Sequence, residues 1–297
     1  MDNHYCRCCI FVRLNIMPSN FGGLEKKYCQ YQTSRFAVLP VPFDATSTWI
    51  KGADLGPKAA IEASGNMELY DIATSSEPYL KGIFTDKPVK AKKTQDMVAK
   101  VQKQIAKYLS DGKIPIVLGG EHSVSAGAIF AAAEKYPNLS ILHFDAHSDR
   151  RDIYEGDKFN HACVMARAQE KCHNIVSVGI RSQAIEEKGN LAKDTIFFAH
   201  EIYRETALPE KVCQALKNEN IYLTIDLDVF DSGLVPSTGT PEPGGLTWYQ
   251  VIEIITEVAK QKNIIGFDVV ELCPNKINKA PDFLAAKLIY SVMARIK

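Results

Sequence analysis

The sequence predicts a three-layer α/β/α domain built on a parallel β-sheet. From about residue 36 onward, short apolar segments rich in Ile, Val and Phe alternate with segments of helical pattern. Several of the apolar segments contain almost no polar residue, as expected of strands that are covered by helices on both faces. No repeat, low-complexity linker or change in composition divides the 297 residues, so we expect a single domain.

Seven apolar segments are expected to be strands. They are RFAVLP (35–40), IPIVLG (114–119), LSILHFD (139–145), NIVSVGI (174–180), TIFFA (195–199), IYLTIDLDV (221–229) and NIIGFDVVEL (263–272). Their content of β-branched and aromatic residues favours extended backbone. Because parallel strands end at the same edge of a sheet, ligands are expected beyond the carboxyl ends of these segments.

Helices are indicated between the strands by their terminal residues. TQDMVAKVQKQIAKYLSDG is expected to use Thr94 as its N-cap and to stop at Gly112. PEKVCQALKNEN begins with Pro209, which suits the first helical turn. In TWYQVIEIITEVAKQKN, Thr247 and Gln250 have the spacing of a capping box. The final segment, PDFLAAKLIYSVMARI, is again entered through a proline.

Composition excludes several classes of protein. Acidic and basic residues number 35 each, so the chain lacks the charge expected for binding nucleic acid or an anionic membrane. No apolar run approaches the roughly 20 residues that span a bilayer. The eight cysteines include no CxxC pair, which predicts free thiols in a reducing compartment and therefore a cytoplasmic protein.

The first seventeen residues, MDNHYCRCCIFVRLNIM, differ from the rest of the chain. They have no helical pattern, and their apolar segment is too short for a secretory signal. We expect residues 1–17 to be a disordered tail, or an extended start that precedes a true start at Met17. The domain is then expected to occupy residues 18–297.

Side chains that commonly bind metals follow four of the expected strands. They are His122 in GGEHS, Asp145, His147 and Asp149 in FDAHSD, Asp226 and Asp228 in TIDLDVFD, and Glu271 in GFDVVEL. Residues two apart in an extended chain point to the same side, so the FDAHSD triplet converges if it prolongs its strand. Any one of these groups alone would be read as a solvated loop residue. Four strands ending in such groups indicate one site.

The ligand types favour manganese. Two histidines with four aspartates form a hard, oxygen-rich set, which suits Mn²⁺ better than a structural Zn²⁺. Six ligands exceed what one catalytic ion needs, and carboxylates can bridge, so we expect two metal ions. His143 lies one pleat deeper and is expected to be packed or hydrogen-bonded. His161 becomes relevant if the loop 150–160 folds over the metals.

These segments together resemble the ureohydrolase family, which includes arginase and agmatinase. The similar motifs are GGEHS, FDAHSD, TIDLDVFD and TGTPEPGGL, with VPFDATSTWIKGADLGPKAAI before them and IGFDVVELCP after them. The resemblance covers about residues 36–297, and four ordered motifs with matching spacing make it specific. It implies an arginase-like α/β/α fold, two Mn²⁺ per chain and a homo-oligomer, either trimer or hexamer.

The resemblance also implies a role for each candidate residue. One ion would be held by His122, Asp145, Asp149 and Asp226, and the other by Asp145, His147, Asp226 and Asp228. In this family His161 would shuttle a proton, and Glu271 would pair with the guanidinium of a small cationic substrate. Asp149 would also carry a proton away from the nucleophile.

Agmatine is the expected substrate, giving putrescine and urea. PFDATST, GIRS and GTPEPGGLTW look like agmatinase segments. The asparagine-x-histidine spacing of arginases is absent, since Asn160 directly precedes His161. The distal ammonium of agmatine could then be attracted by a loop carboxylate. The candidates are Asp152, Glu155 and Asp157, although each of them taken singly is expected to be a solvated loop carboxylate.

Other functions stay open from the sequence. Arg150 or Arg151, if directed inward, would suit a guanidine that carries a carboxylate, such as guanidinobutyrate, and related enzymes accept aminopropyl-agmatine or arginine. A two-metal phosphoesterase would need cationic clamps, and only these two arginines and Arg181 lie near the motifs. A non-catalytic binding protein of this fold would be expected to have lost a ligand, and none of the six is lost.

Overall fold

The computed structural model describes residues 20–191 and 195–297, and within them eight strands form one parallel sheet. The strands are β1 Phe36–Val41, β2 Ile83–Thr85, β3 Ile114–Gly119, β4 Leu139–Phe144, β5 Ile175–Ile180, β6 Thr195–Phe198, β7 Asn220–Asp226 and β8 Asn263–Val270. Their order across the sheet is β2-β1-β3-β8-β7-β4-β5-β6. The expectation for residues 1–17 falls outside the described residues.

Helices cover both faces of this sheet, which confirms the three-layer α/β/α prediction. The longer ones are α1 Gly56–Ser64, α2 Thr94–Ser110, α3 Ser125–Lys135, α4 Val164–Gln169, α7 Leu208–Ala215, α8 Trp248–Gln261 and α9 Ala280–Arg295, and two single turns are α5 Lys188–Leu191 and α6 Ala199–Ile202. Apolar side chains of α1, α7, α8 and α9 pack on one face of the sheet. Those of α2, α3 and α4 pack on the other.

Strand β1 shows why the apolar segments carry few polar residues. Phe36 and Val38 belong to the core on one face, whereas Ala37 and Leu39 belong to the core on the other. All six residues of this strand are buried. Both faces must therefore be apolar, and burial on both sides of the sheet supplies most of the favourable free energy of folding.

The strands differ from the sequence prediction in two ways. Strand β2 was not predicted, because three residues at the edge of a sheet are too short to show an apolar pattern. Strand β7 ends earlier than expected, at Asp226, and Leu227–Val229 forms a 3₁₀ turn. The candidate ligands that follow β7 therefore project from a strand end and a turn, not from a continuous strand.

The helix termini were mostly predicted correctly. The capping box of α8 is present, with the Thr247 amide donating to Gln250 Oε1 at 2.8 Å. The prediction for Thr94 was wrong, because Lys93 is the N-cap of α2 and Thr94 is its first helical residue. The Thr94 hydroxyl instead donates to the carboxylate of Asp157, an acceptor that only the tertiary structure supplies.

Two further sequence inferences can be compared with the structure. The cysteines within the described residues, Cys29, Cys163, Cys172, Cys213 and Cys273, are all free thiols. Across residues 20–191 and 195–297, no helix combines the length and the apolar character that crossing a bilayer would require.

The turn after β3 is set by a close approach of two backbones. The Gly120 amide donates to Val41 O at 2.9 Å, and the Glu121 amide donates to Phe43 O at 2.9 Å. A Cβ atom on Gly120 would lie 2.0 Å from Phe43 O, far inside van der Waals contact. Glycine at this position therefore allows the end of β1 to support the GGEHS turn.

We expect Gly120→Ala to lower the free energy of unfolding by about 2 kcal/mol or more, because backbone atoms cannot move aside as a flexible side chain can. Gly189→Ala is the matched control, since a Cβ there would meet nothing within 4 Å. Urea unfolding followed by circular dichroism measures both variants. Equal stability of the two variants would contradict this account of the turn.

Candidate active site

The order of the strands brings all four ligand-bearing segments together. Strands β3, β8, β7 and β4 are consecutive neighbours in the sheet, and each precedes one of the segments. A cavity of about 270 Å³ lies beyond their carboxyl ends. The predicted residues that line it are His122, His147, Asp149, His161, Asp226, Asp228 and Glu271. The remaining one, Asp145, is fully buried beside them.

His122 is surrounded by three carboxylates. Its Nδ1 atom lies 3.0 Å from Asp145 Oδ2, 3.2 Å from Asp149 Oδ2 and 3.3 Å from Asp226 Oδ2. Its Nε2 atom lies 2.9 Å from the hydroxyl of Thr224. These are the four side chains expected to share one ion.

The hydrogen bonds behind His122 determine which ring nitrogen is available. The Thr224 hydroxyl donates to Asp268 Oδ1 at 2.7 Å, so its oxygen accepts from Nε2–H of His122. Nδ1 then carries a lone pair, and it is a buried atom without a hydrogen-bond partner among the described residues. An imidazole held in this tautomer and aimed at carboxylates is the usual arrangement of a metal ligand.

A second group of possible ligands lies next to the first and shares Asp145 with it. His147 Nδ1 is 2.9 Å from Asp228 Oδ2 and 3.6 Å from Asp145 Oδ1. Ligand atoms of these three residues all lie within 4.8 Å of one another. Backbone amides orient the two carboxylates, since Ala146 N donates to Asp228 Oδ1 at 2.9 Å and His147 N donates to Asp145 Oδ1 at 2.6 Å.

His143 is hydrogen-bonded at both ring nitrogens, as the sequence predicted. Its Nε2 lies 2.8 Å from Asp145 Oδ2, and its Nδ1 lies 3.0 Å from the Ser177 hydroxyl. Arg150 can only donate, and its Nη2 lies 3.1 Å from the same hydroxyl. The hydrogen bonds therefore run from Arg150 through Ser177 and His143 to Asp145. Although His143 is close enough to share a cation with His122 and Asp145, it acts as a donor to the carboxylate.

The electrostatics of the cluster favour bound cations. Burial raises the pKa of Asp226 well above its usual value, and the charges of Asp228 and Asp145 add to the effect. Burial also raises the pKa of Glu271, with Glu121 contributing. Burial lowers the pKa of His122, but the three carboxylates that face its Nδ1 outweigh this effect and raise the pKa well above normal, so positive charge is favoured at this point. A buried excess of negative charge needs positive charge, and this donor set fits metal ions.

The ligands after β4 converge for a different reason from the one that the sequence suggested. Strand β4 ends at Phe144, and Asp149 has a φ of +52°, so the FDAHSD triplet does not continue the strand. Glu271, just past β8, has a φ of +65°. Left-handed backbone is unfavourable for these residue types and is often found at functional sites. Local turns, rather than strand alternation, direct the side chains into the cavity.

His161 lies in the cavity wall, as expected if the loop 150–160 folds over the site. Arg151 and Tyr154 of that loop also line the cavity. The rings of Tyr154 and His161 pack edge to face, with centroids 6.2 Å apart. Nδ1 of His161 lies 3.1 Å from the Thr46 hydroxyl. Burial lowers the pKa of His161, which favours a neutral ring.

The three loop carboxylates do not face the cavity, so none of them is placed to attract the distal ammonium of a substrate. Asp152, Glu155 and Asp157 do not line the cavity. Asp152 pairs with Arg167, and Asp157 accepts hydrogen bonds from Thr94 and from the Phe159 amide. Arg167 of α4 therefore holds Asp152, whereas a hydroxyl of α2 and an amide of the loop hold Asp157. A sequence gives no means of ranking such partners against a substrate.

Arg150 and Arg151, the two arginines at the start of the loop 150–160, have different positions. Arg150 is fully buried and bonds to Ser148 O and Ser177. Arg151 lines the cavity, with its guanidinium 4.2 Å above the Tyr154 ring and 3.7 Å from Glu186 Oε1. One of the two is therefore directed toward the site, and its charge is shared with a wall tyrosine and a glutamate.

Part of the cavity wall was not predicted. Residues 47–50, Gly239 and Thr240 line it. They lie in VPFDATSTWIKGADLGPKAAI and TGTPEPGGL, segments that carried the family resemblance but to which no metal ligand was assigned. In the sequence, only their position within these motifs could have indicated that these residues line the cavity.

Comparisons with known proteins agree with this geometry. The family model described as the arginase family matches residues 34–294. The chain is 34% identical to an N(1)-aminopropylagmatine ureohydrolase of Synechocystis sp., over 93% of this chain and 95% of that protein. It is 34% identical to an agmatinase of Pyrococcus horikoshii, over 87% and 90% of the two chains.

A solved structure gives the same result. The crystal structure of agmatine ureohydrolase of Thermoplasma volcanium superposes with a TM-score of 0.83 at 31% identity, covering 90% of this chain and 91% of that one. The family model, the sequence relatives and the solved structure thus each match nearly the whole of the described chain. The chain therefore belongs to the arginase family and is one of its ureohydrolases.

Proposed function

We propose that this ureohydrolase holds two Mn²⁺ per chain and hydrolyses the guanidinium group of agmatine, giving putrescine and urea. The observation that carries the proposal is the convergence of two ligand sets on one cavity, with Glu271 and His161 in its wall. The names of the relatives support a guanidine substrate, since they include agmatinases and aminopropylagmatine ureohydrolases.

We assign the metal ligands by the two groups described above, with Asp226 added to the second group because the family resemblance implies that it is shared. His122, Asp145, Asp149 and Asp226 would hold one ion, and Asp145, His147, Asp226 and Asp228 would hold the other. The hard carboxylate oxygens with two imidazoles suit Mn²⁺. When bound, such a pair of cations supplies a hydroxide nucleophile near neutral pH.

Glu271 is assigned to bind the substrate guanidinium. Its Oε1 atom accepts from the His122 amide at 2.6 Å, which sets the orientation of the carboxylate in the wall. The remaining lone pairs can accept from the planar guanidinium, which donates in a fork. Holding that group in place presents its carbon to the nucleophile and makes the attack effectively intramolecular.

Proton transfer is assigned to two side chains. Asp149 would accept a proton from the attacking water or hydroxide, because its carboxylate lines the cavity. His161 relays a proton from solvent to the leaving amine: the ring nitrogen that faces the cavity first accepts the proton and then passes it on, and the residue lines the same cavity. The amine product and urea then leave through the open side of the cavity.

The cavity suits a short aliphatic guanidine. Trp49 and Ile50 line one side and can pack against methylene groups. Arg151 is the one lysine or arginine among the described lining residues, and Tyr154 and Glu186 engage its charge. A single shared cation is poorly suited to clamping a phosphate, so these contacts argue against a phosphoesterase. The six metal-ligating side chains argue against a protein that only binds.

N(1)-aminopropylagmatine is the second candidate substrate. Relatives from Synechocystis sp. and Thermococcus kodakarensis that carry this name are 34% and 37% identical to the chain. Glu242 lies at the rim, with Oε1 3.9 Å from His147 Nε2, and could attract a distal amine. The larger substrate would extend past this rim toward solvent.

The proposal also covers the location and the assembly of the protein. We propose a cytoplasmic enzyme, since the described cysteines are free thiols. We propose a homo-oligomer, trimer or hexamer, because the family resemblance implies one.

Urea release by the Mn²⁺-loaded protein tests the proposed substrate. Agmatine, N(1)-aminopropylagmatine, guanidinobutyrate and arginine should be offered in parallel, and we expect the highest kcat/KM with agmatine. Preference for the aminopropyl compound would move the assignment to the second candidate. Preference for guanidinobutyrate would mean that Arg151 binds a carboxylate. No urea from any guanidine, with both metals bound, would overturn the proposed function.

Asp228→Asn tests the metal assignment. A neutral amide is a poorer ligand for a hard cation, so we expect the chain to retain one Mn²⁺ of two. Activity should fall at least about 100-fold, the upper end of the loss caused by removing an outer partner of a ligand. Elemental analysis gives the metal content. The control is Asp231→Asn in the same motif, where Asp231 instead binds the amides of Gly233 and Gly244 and should leave both ions in place.

Glu271→Gln tests the substrate role. Loss of a charged hydrogen-bond acceptor costs about 1.5–3 kcal/mol, so kcat/KM should fall about 10- to 100-fold while both Mn²⁺ stay bound. Glu219→Gln, an exposed position before β7 at the opposite end of the sheet, is the control and should behave as wild type. Loss of metal in Glu271→Gln would show a structural role instead.

A further inference from the structure

Glu121 is a buried carboxylate that neither lines the cavity nor belongs to the ligand groups. It has no exposed surface, and four donors surround it. The amides of Thr46 and Ser47 donate to its Oε2 at 2.6 and 3.0 Å. The hydroxyls of Thr46 and Ser123 donate to its Oε1 at 2.8 and 2.6 Å. Every one of these contacts uses the carboxylate as an acceptor.

The surroundings of Glu121 determine the direction of the Thr46 hydroxyl. A hydroxyl has one hydrogen, and a carboxylate surrounded by donors can only accept, so the Thr46 hydrogen is directed at Glu121. The oxygen of Thr46 then has only lone pairs left. It accepts from the His161 amide at 3.0 Å, and Nδ1 of His161 lies 3.1 Å away on the same oxygen.

The imidazole must therefore supply the hydrogen of the last contact. Two acceptors facing each other at 3.1 Å would repel, so Nδ1 of His161 carries a proton and donates it to Thr46. The ring nitrogen that remains for the cavity is Nε2. The arrangement is a hydrogen-bonded series in which His161 donates to Thr46 and Thr46 donates to Glu121.

We propose that Thr46, with its hydroxyl oriented by Glu121, is a positioning residue that holds His161 in the Nδ1–H tautomer and aims Nε2 at the reacting groups. The inference deepens the proposed function, because it rests on His161 as the group that moves a proton. Thr46 is itself neither one of the metal ligands nor one of the residues that line the cavity. It acts through the histidine.

The geometry gives a role to two residues of the motifs that are not metal ligands, Glu121 and Thr46. GGEHS places Glu121 directly before His122, so the turn that supplies a ligand also supplies the acceptor for the 46–47 segment. VPFDATSTW places Thr46 directly before the lining residues 47–50. One carboxylate thereby fixes a wall of the cavity and the tautomer of a histidine in another wall.

The first arm of the test locates the proton directly. Neutron diffraction of the Mn²⁺-loaded full chain, exchanged into D₂O, would show the deuterium atoms on His161. We expect deuterium on Nδ1, directed at Thr46 Oγ1. Absence of deuterium from Nδ1 would overturn the proposal. This result does not depend on turnover, so failure of the proposed function would appear separately, as no urea release from any guanidine.

The second arm compares two variants of Thr46. Thr46→Val keeps the branched shape and the amide that donates to Glu121 but removes the hydroxyl, whereas Thr46→Ser keeps the hydroxyl. We expect Thr46→Val to lower kcat about 10- to 100-fold, the loss typical for removing a partner that orients a reacting group. KM should change less than about twofold, both Mn²⁺ should stay bound, and Thr46→Ser should restore most of kcat.

Three results of this comparison would contradict the proposal. They are a wild-type kcat in Thr46→Val, a Thr46→Ser variant as impaired as Thr46→Val, and loss of Mn²⁺ from Thr46→Val. The last would mean that the hydroxyl supports the ligand turn and not the histidine. Thermal unfolding of both variants checks that the fold is intact.

Discussion

The buried negative charge beyond the carboxyl ends of the central strands is the constraint on which the rest of the structure depends. Four neighbouring strands deliver four aspartates and a glutamate to one buried cluster with two histidines. Such a concentration of charge is unfavourable in a protein interior unless cations or hydrogen bonds compensate it. Burial raises the pKa values of Asp226 and Glu271, whereas at Asp145 burial is outweighed by hydrogen bonds from neighbouring histidines, which lower the pKa, so the protein compensates only part of this charge. Packing of the apolar core around the sheet holds these charged groups together.

A row of polar side chains one step inside the sheet supports the cluster. Ser177, His143, Thr224 and Asp268 are register partners on β5, β4, β7 and β8. Hydrogen bonds join Ser177 to His143 and Thr224 to Asp268, and the row then reaches Asp145 and His122. Parallel pairing aligns the row, so the same register that closes the core also sets the tautomers and orientations of two proposed ligands. Hydrogen bonds within such a polar network hold its members in one arrangement.

Loops that follow the strands form the wall of the cavity. The segments after β1, β4 and β8 carry the cavity wall, and they are held by contacts between residues far apart in the chain, such as Glu121 with Thr46. Two of the proposed functional residues, Asp149 and Glu271, have left-handed backbone. Strain of this kind persists only where the surrounding structure over-determines it. In this protein the charged side chains lie at or just after the ends of the strands. The loops anchored there form the walls of the substrate cavity.

Much of this protein could be derived from its sequence alone. Apolar segments of strand length identified seven of the eight strands, because burial on both faces leaves a continuous signal that a three-residue edge strand lacks. Seven candidate residues at the strand ends were identified because metal-ligating side chains after buried strands are chemically conspicuous, whereas the role expected of His161 came from the family resemblance. Only the tertiary structure decided how they converge, through turns and left-handed backbone instead of strand alternation, and which loop charges face the cavity. It also decided the partners of Thr94, Asp157, Arg150 and Glu121. Burial leaves a local pattern in the sequence, whereas a hydrogen bond between distant residues depends on geometry that no local pattern encodes.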